Sequence, residues 1–349
     1  MKIALDISPL QTGHRVRGTG FYLQHLQSAL VKYFPQHEYR FFTQKDGMPT
    51  DSDIVHYPYF DPFFITLPFL PKTKTIVTVH DLTPLVFPKE FPSGIKGAVR
   101  WQVQRQLLRM TNGIITDSDS SKKDIVKFVG YPQQKIKTVY LAAGEEFTVL
   151  PKKKAQDIIA KFRLPRKFAL YVGDATWNKN LPRLVEACVL AGVPLVMVGK
   201  ALSGEEKIDG NNPWTRDLRK TIALAKEHSK MIHRIGFVSM EELVALYNCT
   251  TLFIMPSLYE GFGLPVLEAM ACGAPVITTK EGSLPEVGGS AAFYTDAYNI
   301  RSISESIQTV WWDEKLQKEL SKRGRIQSDV FSWKKTAEET IKAYIRAAG

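Results

Sequence analysis

The run Pro256-Ser-Leu-Tyr-Glu260-Gly-Phe-Gly-Leu-Pro-Val-Leu-Glu268-Ala-Met-Ala-Cys-Gly273 follows a strand-like segment, Thr251-Leu-Phe-Ile-Met255, and leads into a helix-like one over 265–271. The connection carries one carboxylate and two glycines, and a second carboxylate lies within the helix. Without a Cβ, Gly261 and Gly263 let a ligand approach the backbone. Pro265 suits a first helical turn, where its missing N–H costs little. The unpaired N–H groups at the helix start, near Leu264, favour an anion such as a diphosphate. Glu260 and Glu268 then accept hydrogen bonds from hydroxyls on either side of it, an arrangement suited to a sugar nucleotide.

A bare pair of glutamates at this spacing carries no information, but the wording around this pair is specific. With seven residues between them, Glu260 and Glu268 resemble the E-x7-E signature of retaining family 4 glycosyltransferases of the GT-B fold. The resemblance implies that Glu268 binds the ribose hydroxyls of the donor and Glu260 the hydroxyls of its sugar. Gly261, Phe262, Gly263 and Leu264 would line the donor between them.

Further along the resemblance, Val172-Gly173-Asp-Ala-Thr-Trp-Asn-Lys179-Asn180 leaves a strand and opens a helix. Gly173 permits a tight exit, Asn180 is a candidate helix cap, and Lys179 is a compact cation suited to phosphate. The family carries a G-x-x-x-x-x-K-N/G element here, which implies a diphosphate-binding role for Lys179. Many members have arginine directly after the glycine. Here that position is Asp174, and Arg183 is the substitute considered for the lost phosphate contact. Arg234-Ile-Gly-Phe-Val238 resembles the family's base-binding loop, which places Val238 beside the nucleotide.

The first half contributes Gly18-Thr19-Gly20, after a strand and a basic loop holding Arg15 and Arg17. The resemblance places this glycine loop over the donor phosphates and beside the acceptor, while Arg15 and Arg17 read either as contacts to an anionic acceptor or as solvated side chains. His80 and Asp81 end the strand-like Thr78-Val79. His80 is expected to hydrogen-bond a sugar hydroxyl or a backbone carbonyl near the reacting carbon, and Asp81 to position the acceptor. Glu286 reads as a cap or an exposed residue.

Strands and helices alternate in both halves, the pattern of doubly wound parallel sheets. Strands are expected over 3–6, 39–43, 54–56, 75–79 and 113–116, with helices over 20–33, 95–110 and 122–129, and a closing segment at 137–140. Ser118 to Ser121 supply cap candidates for the helix over 122–129. In the second half, strands are expected over 168–172, 194–198, 231–237, 251–255 and 274–279. Helices are expected over 155–162, 180–191, 214–227, 302–311, 314–323 and 333–347. The fold class is therefore α/β, with two Rossmann-like domains. In the GT-B fold that the resemblance implies, these face a cleft. Residues 1–150 form the acceptor domain and 151–332 the donor domain, and the helix over 333–349 packs back on the first.

A chain of 349 residues with 44% hydrophobic and 23% charged residues has room and composition for two globular domains. No run is apolar enough to span a bilayer, and Asp6 interrupts the first strand too early for a signal peptide. Cys188, Cys249 and Cys272 are odd in number and widely spaced, which favours free thiols in a reducing cytoplasm. The net charge of +11 admits nucleic acid, an anionic membrane surface or an anionic substrate as partner. Without a nucleic-acid motif, nucleic acid ranks last. Ile95, Val99, Val103 and Leu107 fall on helical spacing beside Lys96, Arg100 and Arg105, a pattern that reads either as a basic amphipathic face for the inner side of a membrane or as an ordinary core-facing helix.

Two D-x-D patterns, Asp51-Ser-Asp53 and Asp117-Ser-Asp119, read as turn and cap residues. No metal and no cofactor are expected, since helix N-termini and Lys179 can neutralise a leaving diphosphate. The resulting expectation is transfer of a hexosyl group, mannosyl first, from a nucleotide-diphosphate sugar of the GDP-mannose or UDP-glucose type. The acceptor is a glycan, lipid-linked or other hydroxyl. A nucleotide-sugar epimerase on the same fold and a catalytically silent binding subunit are the rivals.

Overall fold

The computed structural model describes residues 1–13, 18–69, 73–203 and 212–349. Arg15 and Arg17 lie outside them. The chain divides into two compact units, residues 1–142 with 331–349, and residues 143–330.

The first unit runs β1 (Lys2–Asp6), α1 (Gly18–Tyr33), β2 (Glu38–Phe42), β3 (Ile54–Tyr57), β4 (Thr75–Thr78), α2 (Thr83–Val86), α3 (Gly94–Arg109), β5 (Gly113–Thr116), α4 (Asp119–Asp124) and β6 (Ile136–Thr138). Its six strands are all parallel, in the order β2-β1-β3-β4-β5-β6. β3, β4 and β5 are buried at every residue. That burial explains why they read as continuous apolar runs rather than alternating ones. The helix expected at 122–129 starts earlier, because the Ser118 side chain accepts from Ser121 N. α1 begins two residues before the expected Gly20, so Gly18 sits in its first turn with the buried Gly20 and not in a loop before it.

The second unit runs α5 (Lys152–Ile159), β7 (Ala169–Val172), α6 (Leu181–Ala191), β8 (Leu195–Val198), α7 (Arg216–Glu227), β9 (Ile232–Gly236), α8 (Met240–Cys249), β10 (Leu252–Met255), α9 (Leu264–Ala271), β11 (Val276–Thr279), α10 (Leu284–Gly288), β12 (Phe293–Thr295), α11 (Ile300–Trp312) and α12 (Glu314–Ser328). Its sheet is also parallel, in the order β12-β11-β10-β7-β8-β9. Counted from β7, this is the 3-2-1-4-5-6 Rossmann order, and the direction of winding reverses between β7 and β10. The short strand β12, Phe-Tyr-Thr, was not anticipated. Three residues give too little periodicity to separate a strand from a loop.

Residues 143–150 belong to the second unit and not, as expected, to the first. Leu150 N donates to Asn248 Oδ1 (2.7 Å), Asn248 Nδ2 donates to the Thr148 carbonyl (2.9 Å), and the Phe147 ring meets Tyr247 edge-on.

The last helix, α13 (Trp333–Ala348), packs on the first unit. Thr336 Oγ1 donates to the Tyr140 carbonyl at 2.7 Å, and Tyr344 meets His56 Nδ1 at 2.7 Å. His56 Nε2 reaches Thr78 Oγ1, which also meets the Tyr22 hydroxyl. Burial pushes His56 down to about 3, so this buried chain of hydrogen bonds runs through a neutral imidazole.

The residues on this spacing in α3 differ in exposure. Ile95 (87% exposed) and Val99 (60%) face solvent, whereas Leu107 is buried and Val103 packs against the core.

Candidate active site

In a doubly wound sheet the ligand lies beyond the strand ends where the winding reverses. In the second unit those ends belong to β7 and β10. The loop after β7 carries Lys179, and the loop after β10 carries Glu260.

The residues flanking Lys179 join the two loops. Asn178 Nδ2 donates to the Tyr259 carbonyl (2.9 Å), and Leu258 N donates to the Asn178 carbonyl (2.7 Å). Asn180 Nδ2 donates to the Pro256 and Ala297 carbonyls at 2.9 and 2.7 Å. Asn180 therefore does not cap α6 with its side chain, as the sequence suggested. Its backbone is left-handed (φ 60°), and its side chain is fully buried in the link between the loops. Between these two asparagines, Lys179 Nζ reaches Glu260 and sits 2.8 Å from each carboxylate oxygen.

Glu260 is held from behind as well. Ser283 Oγ donates to the carbonyls of Glu260 (3.0 Å) and Phe262 (2.7 Å). Gly282, in a left-handed conformation, backs directly onto Glu260. A Cβ there would lie 2.7 Å from its carbonyl oxygen and 2.9 Å from its nitrogen. Gly263 is also left-handed (φ 103°) and is the residue from which α9 starts, a backbone turn that favours glycine. Phe262 is buried, and Leu264 and Pro265 form the first turn of α9.

One turn into α9, Glu268 is nearly buried, and its Oε2 accepts a hydrogen bond from the Tyr247 hydroxyl at 2.9 Å. Burial raises its carboxyl to about 7, while the Tyr247 hydrogen bond works the other way and the nearby Glu146 adds to the rise.

Gly173 ends β7, with the Tyr171 hydroxyl close by. Asp174 is exposed, and its backbone carbonyl accepts from that hydroxyl (2.6 Å). Arg183 is bonded to Asn180 Oδ1 at 2.9 Å. Val238 is buried just past β9, beside the exposed ring of Phe237. Glu286 lies half-buried in the first turn of α10.

In the first unit, His80 closes β4 with both ring nitrogens engaged. Nδ1 lies 2.6 Å from Asp117 Oδ2, and Nε2 lies 3.2 Å from the Pro58 carbonyl. A carbonyl only accepts, so Nε2 carries a proton. Burial opposes the charged ring, but the Asp117 charge and hydrogen bond, with help from Asp81, raise the His80 pKa. The expected hydrogen bond from His80 to a sugar hydroxyl would have to displace the Pro58 contact. Asp81 accepts from Thr83 N (2.8 Å) at the start of α2.

The four D-x-D aspartates are engaged by protein groups. Asp51 pairs with Lys2 and Arg40, Asp53 accepts from Lys2 N, Asp117 holds His80, and Asp119 accepts from Thr138 Oγ1. Asp117 was expected to act as a cap, but the cap is Ser118.

Sequence reasoning missed Asn178, Tyr247, Gly282 and Ser283. The Asn-Lys-Asn triplet was a readable signal, since two short amides flanking a phosphate lysine can tie down a loop. Tyr247 lies in a helix 21 residues upstream of Glu268 and had no local signal.

Residues 152–327 match the family model described as glycosyl transferases group 1, and residues 11–143 match that of glycosyltransferase family 4. The chain is a family 4 glycosyltransferase. It is 30% identical over 297 residues to the O-antigen chain mannosyltransferase B of Escherichia coli, covering 84% of this chain and 75% of that protein. It is also 29% identical over 281 residues to the serotype-specific mannosyltransferase WbdA of Escherichia coli, of which the match covers only 33%. Among solved structures it resembles Anabaena Alr3699/HepE in complex with UDP and glucose, with a TM-score of 0.74 at 16% identity over 98% of both chains. The fold is GT-B, and Glu260 and Glu268 lie on the loop and helix that follow β10.

Proposed function

We propose that this glycosyltransferase moves a mannosyl group, with retained anomeric configuration and without a metal ion, from GDP-mannose to an acceptor hydroxyl. UDP-glucose is the second donor candidate, and a glycan or lipid-linked saccharide is the acceptor. The observation that carries the reading is the convergence of Lys179 and Glu260 at the switch point of the second sheet, with Glu268 on the helix that starts there. The mannosyl assignment is supported by the two Escherichia coli relatives named as mannosyltransferases.

In this reading the diphosphate meets Lys179 and the first N–H groups of α9, which supply positive potential without a metal. Glu268 takes the ribose hydroxyls and Glu260 the sugar hydroxyls. The bond from the anomeric carbon to the diphosphate oxygen breaks as the bond to the acceptor oxygen forms on the same face. The acceptor proton leaves on the departing phosphate. His80 and Asp81 are assigned to the acceptor side. The experiment is a donor screen with product analysis by NMR. An α-linked product from an α-linked donor, formed in the presence of chelator, supports the proposal. Inversion at the anomeric carbon or loss of turnover on chelation overturns it. Turnover of donor to an epimer without acceptor would favour the epimerase, and no turnover of any donor the silent subunit.

We also propose peripheral contact with the cytoplasmic face of an anionic membrane. No helix among the described residues is long and apolar enough to cross a bilayer. Ile95, Val99 and Phe64 (59% exposed) are apolar and open, and the Arg100 guanidinium lies over the Phe64 ring at 5.7 Å. α3 contains no acidic residue and carries Lys96, Arg100, Arg105 and Arg109. The three unpaired cysteines suit a reducing compartment. Flotation with anionic vesicles at low salt, abolished in Ile95→Glu/Val99→Glu, is the expected result. Absence of binding by the wild type removes the idea.

A further inference from the structure

Tyr247 is fully buried on α8, with its ring edge-on to Phe147 at 5.9 Å and to Phe253 at 5.5 Å. A phenylalanine would fill that space equally well. A buried O–H costs free energy unless it finds a partner. Among the described residues this one reaches a single acceptor, Oε2 of Glu268 at 2.9 Å. Glu268 in turn has no other hydrogen bond among the described residues, so its Oε1 is uncommitted to the protein. The capping box formed by Ser239 and Glu242 fixes the start of α8 and thereby the path that brings Tyr247 to this point.

We propose that Tyr247 is a positioning residue for donor binding. Its phenol fixes Glu268 with Oε2 committed to the core and Oε1 open to a ribose diol, and it favours the ionised carboxylate that a diol needs as acceptor. The proposal rests on the reading of Glu268 as a donor ligand.

The titratable groups around Glu268 are Tyr247 on α8, Glu146 in the segment before α5, and Cys272 at the end of α9. Burial and Glu146 both favour the protonated acid, whereas Tyr247 opposes it. Cys272 is itself raised to about 12, by burial and by Glu268, and stays a neutral thiol near neutrality. Tyr247 is thus the only group among these that stabilises the charge on Glu268. Its removal leaves an ionised acid with no donor.

The test uses Tyr247→Phe, which keeps the ring and removes the O–H, beside Glu268→Gln. The Glu268 carboxyl is followed by NMR in protein labelled with 13C-glutamate, assigned by its loss in Glu268→Gln. Binding of GDP-mannose and UDP-glucose is measured by calorimetry from about pH 6 to about pH 9. Hydrogen bonds to charged groups predict an upward shift of about one pH unit in the Glu268 titration of Tyr247→Phe. Donor affinity should then fall about fivefold near pH 7, with most of the loss recovered near pH 9. An unshifted titration, or a loss of affinity equal at every pH, overturns the proposal and leaves Tyr247 a core residue. A Glu268→Gln protein that binds the donor as tightly as wild type overturns the donor reading itself. Failure of the proposal alone shows as weakened Glu268→Gln beside unaltered Tyr247→Phe.

Discussion

Lys179 Nζ lies 2.8 Å from both carboxylate oxygens of Glu260, in a pair largely withdrawn from solvent. The cation read as the diphosphate ligand and the carboxylate read as the sugar ligand are thus bound to each other. Each holds the other's side chain ready, and each leaves the other uncompensated if removed.

The first prediction follows from that pairing. Lys179→Ala and Glu260→Gln should each lower turnover by about 100-fold or more, in line with the loss of a preorganised charge contact. Because the two act as a unit, the double variant should be far less impaired than the product of the singles. Steady-state kinetics on the four proteins measures this, and strict additivity would show the ion pair to be incidental.

The second concerns Glu268. Its carboxyl is raised to about 7 from 4.5, chiefly by burial. Folding therefore favours the protonated acid, and its stabilising contribution is complete below the unfolded value and is lost as pH rises through 7. A shift of that size corresponds to roughly 3 kcal/mol at full effect. Glu268→Gln should raise the melting temperature by several degrees near pH 8 and change it little near pH 5. Donor binding should show the opposite trend, strengthening as pH rises through about 7 and the acid ionises. Thermal melts at the two pH values, with calorimetry alongside, check both signs.

Gly282 supports the third prediction. Its left-handed backbone sits against the Glu260 peptide with no room for a Cβ. Gly282→Ala should destabilise the second unit by about 1–3 kcal/mol and displace Glu260, so turnover falls more than tenfold while the chain still folds. Chemical denaturation and kcat on one preparation separate the two effects. Wild-type kcat would show that Glu260 tolerates the shift.

A fourth concerns the first unit. Asp117 Oδ2 holds His80, while Oδ1 is buried without a hydrogen-bond partner among the described residues. Asp117→Asn removes the charge that raises His80, so the ring should titrate below its ordinary value of 6.5 because burial then dominates. Folding stability should fall by about 1–3 kcal/mol near pH 6, which lies below the raised pKa of the ring. In the wild type, the raised pKa means that this contribution is present below the unfolded value and disappears as pH rises through the folded one. NMR titration of the His80 ring gives the answer directly.

Much of the architecture could be read from the chain, because parallel strands buried on both faces leave continuous apolar runs such as Leu-Phe-Ile-Met at β10. Glu260 and Lys179 follow such runs in loops at strand ends, and Glu268 lies one turn into the next helix, while the roles given to all three came from the family resemblance. The rest was not legible, because it depends on contacts distant in sequence. Asn180 has the composition of a cap, yet it spends its amide on carbonyls 76 and 117 residues away. Asp117 has the look of a helix cap until β4 brings His80 alongside it. Gly18 read as loop before a helix starting at Gly20, yet α1 already begins at Gly18.

The most direct test of the central claim is calorimetric titration of the wild type, Lys179→Ala and Glu268→Ala with GDP-mannose and UDP-glucose near pH 8. The account predicts that one of the two binds the wild type at a single site. Glu268→Ala should weaken that binding at least tenfold, and Lys179→Ala, which removes the diphosphate contact, should weaken it as strongly. Equal affinity in all three proteins, or no binding of either donor by the wild type, would contradict it.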